Sequence, residues 1–365
     1  MTRVRQKSTI FSSLFTLLSS LFTFPQEDFP MKKAVFIGSA DRVAYVYARS
    51  TLDKLHAELD FVTDHVIAKK ELDDYRAELA SADYIFSTWG MPSFTREEIR
   101  EYLPNVKAVF YGAGSVQGFA RPFLEENIAV FSAWAANGVP VAEYTLAEII
   151  LATKGFYQRL HRQADGAAWP NRSVGVDFPG NYEITVGIIG AGMIGKMVIE
   201  RLHTLDYVDI LVFDPFLSDE KAAELGVTKT DLPTLFEQSD VISNHLANNP
   251  QTVGMLNADC FNRMKANATF INTGRGAQVV ENDMIQALLD VPTRAAVLDV
   301  TFPEPPEADS PLYTVPNVFL TPHIAGSLGN EVHRMAEYMY EEYKAFDAGQ
   351  PTRYSVTIPM LATMA

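Results

Sequence analysis

A single cysteine, Cys260, stands in 365 residues, so no intramolecular disulfide can form, and no Cys/His group has the spacing of a zinc site. Neither a disulfide scaffold nor a structural metal is expected, and one thiol fits a reducing compartment such as the cytoplasm. Within Asp259-Cys260-Phe261 that thiol reads as buried and inert, because no nucleophile signature surrounds it. Basic charge is scarce too: 30 Lys and Arg face 45 Asp and Glu, a formal net charge of -15. Such a field repels phosphate backbones and anionic bilayers, which removes nucleic acid and membrane surfaces as expected partners. It also repels a small anionic substrate, so a site for one needs locally placed cations and backbone N–H groups. Long apolar runs are missing. The Ser-rich apolar stretch Ile10 to Phe24 is shorter than the roughly 20 residues a spanning helix needs.

Residues 1 to 30 differ from the rest. Arg3, Arg5 and Lys7 precede the apolar stretch, and Pro25 and Pro30 follow it. The outline resembles a targeting segment, yet a small-residue cleavage site is absent. Met31-Lys32-Lys33 then runs into Ala34-Val35-Phe36-Ile37-Gly38, a first strand with an initiator methionine in front of it. The preferred reading is an over-extended gene model, with a signal or organellar presequence as the alternative.

With 47% hydrophobic and 21% charged residues, the chain is long enough for two domains. From Ala34 onward short apolar runs alternate with amphipathic ones: Ala34 to Gly38, Glu71 to Ala80, Tyr84-Ile85-Phe86, Glu97 to Leu103, Val106 to Tyr111. Alternating strand and helix imply βα units and a parallel sheet. A second series runs from Val186 through Ile210 to Phe213, Val241-Ile242, Thr269 to Asn272, Ala296 to Leu298 and Val318 to Leu320. Between the two, Val141 to Tyr157 reads as a long, buried connecting helix with Pro140 at its start, where the missing N–H costs nothing. A helix over Gly329 to Phe346 can return the chain to the first unit. The expected fold class is α/β with two doubly wound parallel-sheet domains, the first assembled from both ends of the chain.

Val186-Gly187-Ile188-Ile189-Gly190-Ala191-Gly192-Met193-Ile194-Gly195 is an apolar strand running into G-x-G-x-x-G, with a helix after it. That context marks a dinucleotide site: Gly190 for the tight turn, Gly192 for approach of the pyrophosphate, Gly195 for close helix packing, and Met193 and Ile194 opening the helix that faces the anion. Asp214, closing Ile210-Leu211-Val212-Phe213, is placed to accept hydrogen bonds from ribose hydroxyls. No Arg or Lys follows before Lys221, so NAD is expected over NADP.

Three further segments each end a predicted strand of the second series, where open α/β sheets bind ligands. Thr273-Gly274-Arg275-Gly276 offers a guanidinium able to hold a carboxylate and polarise a neighbouring carbonyl. Asp299-Val300-Thr301-Phe302-Pro303-Glu304-Pro305 carries two acids, and Thr321-Pro322-His323-Ile324-Ala325-Gly326 a histidine. Singly these are ordinary loop residues. Together they are an anion clamp, a carboxylate and an acid/base, the parts that hydride transfer to a 2-keto acid requires. A carboxylate such as Glu304 beside an imidazole favours its protonated form.

Through Val186 to Gly195, Asn272 to Gly276, Leu298 to Pro305 and Thr321 to Gly326, the sequence resembles the D-2-hydroxyacid dehydrogenase family over residues 34 to 350, and looks most like its glyoxylate/hydroxypyruvate reductase branch. The resemblance implies an NAD-binding domain, 137–323, inserted into a discontinuous substrate domain, 31–136 and 324–365, with both domains Rossmann-like. It implies His323 as general acid/base, Glu304 as its partner and Arg275 as carboxylate and carbonyl binder. The implied cofactor contacts are Gly190, Gly192, Met193, Ile194, Gly195, Asp214, Thr273 and Asp299, with Asp299 at the nicotinamide carboxamide. The turn Gly112-Ala113-Gly114 matches the family loop whose N–H groups bind the substrate carboxylate, so Ala113 and Gly114 join Arg275 as substrate contacts. A homodimer paired through the NAD-binding domain is implied as well. Two loops depart from the pattern. Ser243-Asn244-His245-Leu246-Ala247-Asn248-Asn249-Pro250 replaces a Leu-His-x-Pro-Leu-Thr motif, and Ser115-Val116-Gln117 stands where many relatives carry acidic and Asn residues. Rival readings are a formate or phosphonate oxidiser of the same architecture, a non-enzymatic NAD-sensing binding protein, and a membrane-anchored protein using residues 10 to 24.

Overall fold

The computed structural model describes residues 31–164 and 178–362. The readings of residues 1–30, gene-model extension, targeting segment or anchor, lie outside the described residues. Among those described, no helix is long and apolar enough to cross a membrane.

Strands β1 (Lys32–Phe36), β3 (Tyr84–Ser87) and β4 (Ala108–Tyr111) fall on the first series of apolar runs, and β2 (Leu59–Phe61) and β5 (Ala129–Ser132) add to it where no run was read. The second series becomes β6 (Ile184–Ile189), β7 (Val208–Phe213), β9 (Val241–Asn244), β10 (Thr269–Asn272), β11 (Ala295–Leu298) and β12 (Val318–Leu320), while β8 (Thr228–Lys229) and β13 (Ser355–Val356) fall outside the expected runs. The first sheet has the order β13-β5-β4-β3-β1-β2 and the second β12-β11-β10-β9-β6-β7-β8. All pairings are parallel except that of β13 with β5. Chain order reverses between β1 and β3 in one sheet and between β6 and β9 in the other, and ligands of doubly wound sheets bind in the crevices those reversals leave.

Both faces of each sheet are covered, so the strands are apolar throughout rather than alternating with polar residues. In β4, Val109 and Tyr111 face one core, while Ala108 and Phe110 face the other. The second core includes the helix His333–Asp347, whose Met335, Ala336, Met339 and Tyr343 are buried. Tyr343 meets Phe86 and Phe110 edge-on at 6.0 and 5.9 Å between centroids. The first domain is therefore built from both ends of the chain.

The connecting helix differs from expectation. It spans Trp134–Thr153, with Pro140 inside it. Ala135 and Ala136 are strong helix formers and carry the helix through Asn137 and Gly138, residues of low helix propensity. Pro140 has no N–H for the carbonyl of Ala136, which interrupts the hydrogen-bond ladder at that turn. Gly155, at φ +64°, ends the helix, and Tyr157 belongs to a separate one, Phe156–Ala164. Along its length the bridging helix touches both domains: a side chain at Gly138 would meet Met193 Cε at 2.9 Å and Ile194 Cγ1 at 3.2 Å.

Candidate active site

Register brings the three candidate segments together. Asn272 pairs with Leu298 and Leu298 with Leu320, so β10, β11 and β12 end abreast. The next residues remain in step, because Asp299 donates its N–H to Asn272 O at 3.0 Å and Thr321 to Leu298 O at 3.0 Å. Arg275 and His323 each lie three positions past that row.

His323 projects from a tight turn and has φ +54°, an uncommon conformation for any residue with a Cβ. Asp299 holds that turn. Its backbone carbonyl accepts from His323 N at 3.0 Å, and its carboxylate accepts from Thr321 Oγ1 at 2.6 Å, Ile324 N at 2.8 Å and Ala325 N at 2.9 Å. Asp299 is 2% exposed, and its carboxylate is engaged with the His323 loop. His323 Nδ1 meets Glu304 Oε1 at 2.6 Å. A carboxylate accepts from Nδ1–H, which leaves Nε2 as the atom presented to a ligand.

Arg275 is half-buried, and its guanidinium NH1 donates to Gly274 O at 2.8 Å. Burial lowers its pKa from the ordinary value, while the nearby Glu304 charge opposes that shift. Among the described residues no carboxylate lies within 4.0 Å of it. A partly desolvated guanidinium with no carboxylate within salt-bridge reach is suited to a small carboxylate. Gly276 lets this loop approach its neighbour: a Cβ there would sit 2.0 Å from Thr301 C.

The dinucleotide turn fits its proposed occupant. Gly190 has φ +92°, and a Cβ on it would meet His245 O at 2.9 Å, so the turn lies across the β6/β9 crevice. A Cβ on Gly195 would lie 2.0 Å from Gly190 O, whereas one on Gly192 would meet nothing within 4 Å. Packing is close on one side and open on the other. The open side faces the first turn of the helix Met193–Leu202, whose leading N–H groups have no intrahelical acceptor. Asp214 Oδ2 accepts from Ala191 N at 2.7 Å and Oδ1 from Phe216 N at 2.8 Å. It borders an open groove of about 410 Å³ with Phe213, Asp219 and Lys229. Lys229 arrives from β8 and lines the same groove as Asp214. Its Nζ donates to Leu217 O at 2.6 Å and lies 3.8 Å from Asp219 Oδ1.

Thr273 is buried and bonds Thr145 Oγ1 at 3.2 Å and His245 Nδ1 at 3.5 Å, so its hydroxyl already has protein partners. His245 also meets Ser243 Oγ at 2.9 Å, and burial pushes its imidazole down to about 4. In the first domain the Ala113 N–H donates to Tyr111 O at 2.9 Å. Gly114 is the better candidate, half-buried and beside Asn137. Asn137 also accepts from Ser327 N at 3.0 Å and so ties the Gly114 turn to the segment after His323.

Sequence reading missed the polar side of the bridging helix. Tyr144 OH meets Thr321 Oγ1 at 3.2 Å, which in turn bonds Asp299. Glu148, one turn on, has a buried Oε2 with no hydrogen-bond partner among the described residues. Burial holds its carboxyl above the ordinary range, and the Asp299 charge adds to the shift. Polar residues at 144, 145 and 148, three and four apart in an apolar helix, were the available signal.

Comparison with known proteins agrees with this geometry. Residues 146–325 match the model of the D-isomer specific 2-hydroxyacid dehydrogenase NAD binding domain. A D-3-phosphoglycerate dehydrogenase of Archaeoglobus fulgidus is 31% identical over 65% of this chain and 44% of its own length. The chain thus spans less than half of that relative. A formate dehydrogenase of Chaetomium thermophilum is 31% identical over 73% of this chain and 75% of its own length. The NAD-complexed structure of a D-isomer specific 2-hydroxyacid dehydrogenase from Lactobacillus delbrueckii ssp. bulgaricus superposes with TM-score 0.72 at 22% identity, covering 89% of this chain and 100% of that one. With the ordered motifs, the two reversed-order sheets and this coverage in agreement, the chain belongs to the D-isomer specific 2-hydroxyacid dehydrogenase family and carries its NAD-binding domain.

Proposed function

We propose that the protein transfers a hydride between NAD(H) and C2 of a small D-2-hydroxy acid or 2-keto acid. The observation that carries this reading is the 2.6 Å His323–Glu304 pair at the strand end next to that of Arg275. Bound NAD supplies or accepts the hydride. The protein residues do the rest: His323 Nε2 exchanges a proton with the C2 oxygen, and Glu304 orients the ring through Nδ1. Arg275 and the Gly114 N–H hold the carboxylate, and Arg275 stabilises charge on the C2 oxygen. The domain division is 31–136 with 324–365 around 137–323, and a homodimer paired through the NAD-binding domain follows from the resemblance. The wording Asp299-Val300-Thr301 and Pro303-Glu304-Pro305 favours glyoxylate or hydroxypyruvate.

The test is NADH oxidation by the chain, followed at 340 nm with glyoxylate, hydroxypyruvate, pyruvate, phenylpyruvate and 2-ketoisocaproate, with NADPH in parallel and NAD with formate as the reverse arm. Turnover with one 2-keto acid is expected, and His323→Ala should lower kcat at least about a hundredfold with NADH binding retained. Tight NADH binding without turnover on any acid would overturn the reading in favour of an NAD sensor. Formate oxidation alone would replace it with a formate dehydrogenase.

A further inference from the structure

Behind Arg275 lie three side-chain amides that the chemistry above does not use. Asn244, Asn272 and Gln278 are 0, 1 and 0% exposed, and they come from the end of β9, the end of β10 and the turn after Arg275. Burying primary amides is costly unless each is satisfied. Here every amide oxygen accepts and every amide nitrogen donates. Asn244 Nδ2 donates to Asn272 Oδ1 at 3.0 Å and Gln278 Oε1 at 2.6 Å. Gln278 Nε2 donates to the carbonyls of Leu246 and Ala247 at 2.8 and 3.0 Å. Asn272 Nδ2 donates to Arg275 O at 3.2 Å, while its Oδ1 accepts from Gly274 N at 3.1 Å. Asn244 Oδ1 accepts from Leu246 N at 3.2 Å.

The bonds converge on one residue. Arg275 is held at its carbonyl by Asn272 and at its N–H by Gln278 Oε1, 3.3 Å away. The carbonyl that orients its guanidinium belongs to Gly274, which the same Asn272 holds. On the far side Gly276 presses against Thr301. The other arm of the network grips residues 246 and 247, next to the turn whose His245 carbonyl closes on Gly190.

We propose that Asn244 and Gln278 are positioning residues: with Asn272 they form a buried amide clamp that fixes the Arg275 guanidinium relative to the 244–247 loop of the cofactor crevice. Binding geometry at such a site is needed to within about 0.5 Å. Apolar side chains at 244 and 278 would fill the space at lower desolvation cost but leave the backbone of 274–275 free to shift. The inference rests on the reading of Arg275 as the substrate's anion binder.

The test uses the full chain with NADH and oxamate, a non-reacting mimic of a 2-keto acid, whose dissociation constant is read from NADH fluorescence. Thermal unfolding is recorded alongside. Arg275→Lys is the reference, compared with Gln278→Met, Asn244→Leu, and Gln278→Met combined with Arg275→Lys. Gln278→Met and Asn244→Leu should each weaken oxamate at least about tenfold, with cooperative unfolding retained and a smaller loss of NADH affinity. In the Arg275→Lys background Gln278→Met should add little, because coupled residues are non-additive. Unchanged oxamate binding, or losses that multiply with that of Arg275→Lys, would overturn the clamp and leave Arg275 as assigned. Arg275→Lys without effect would overturn the role of Arg275 itself. Should one of the two clamp variants fail to fold, the other decides.

Discussion

His323 at φ +54° shows how a side chain is held where its backbone alone would not rest. A non-glycine residue in the left-handed region costs about 1–3 kcal/mol and persists only when its surroundings over-determine it. Three donors on the Asp299 carboxylate do so. His245 illustrates the opposite use of histidine. Burial pushes its pKa from 6.5 down to about 4, so the native state binds fewer protons than the unfolded chain between those values. Its contribution to stability is therefore present above about pH 6.5 and is lost as pH falls through about 4, with a slope of about 1 kcal/mol per pH unit. Melting temperatures recorded from pH 7 to pH 4 should flatten over that window in His245→Gln. An identical pH profile for wild type and variant would show that the ring is not the group titrating.

At the scale of elements, the strand–turn–helix of the cofactor site separates packing from binding. Gly195→Ala places a methyl 2.0 Å from Gly190 O, a main-chain atom, so the helix Met193–Leu202 has to back away. Overpacking of that kind costs about 1–3 kcal/mol, and both the melting temperature and NADH affinity should fall. Gly192→Ala meets nothing within 4 Å. It should unfold at the wild-type temperature yet bind NADH at least about tenfold more weakly, because its methyl occupies the approach of the pyrophosphate. Calorimetry and NADH fluorescence separate the two, and wild-type NADH binding by Gly192→Ala would place the pyrophosphate elsewhere. The bridging helix carries the other lesson. The helix expected from Val141 begins at Trp134 and runs through Asn137, Gly138 and Pro140, because packing against both domains outweighs their low helix propensities.

For the whole molecule, the net charge of -15 acts against an anionic substrate over distances larger than the site. Salt screens exposed charges beyond roughly 10 Å at 0.1 M, while the contact with half-buried Arg275 is screened much less. Raising ionic strength from about 0.01 to 0.1 M should therefore increase kcat/KM for the preferred 2-keto acid by a factor of a few. A steep decrease would mean that exposed cations steer the substrate, and the acidic field would not be the controlling one.

Local signals settled a large part of this protein in advance. The period of apolar runs placed the strands, because a sheet covered on both faces needs continuous hydrophobic segments. Gly190, Gly192 and Gly195 marked the turn, and at Gly190 and Gly195 only a missing side chain allows the approach the structure shows. Arg275, Glu304 and His323 were legible because each follows a strand whose end could be recognised. What tertiary structure alone decided were relations between distant segments. The abreast ends of β10, β11 and β12 turn Asp299 into the anchor of the His323 loop. β8 carries Lys229 toward Asp214, and the Ala113 N–H goes to Tyr111 O. Asn244 and Gln278, 34 positions apart, meet as a clamp. No local propensity encodes such pairings, because hydrogen bonds between side chains far apart in the chain exist only once the sheet has set its register.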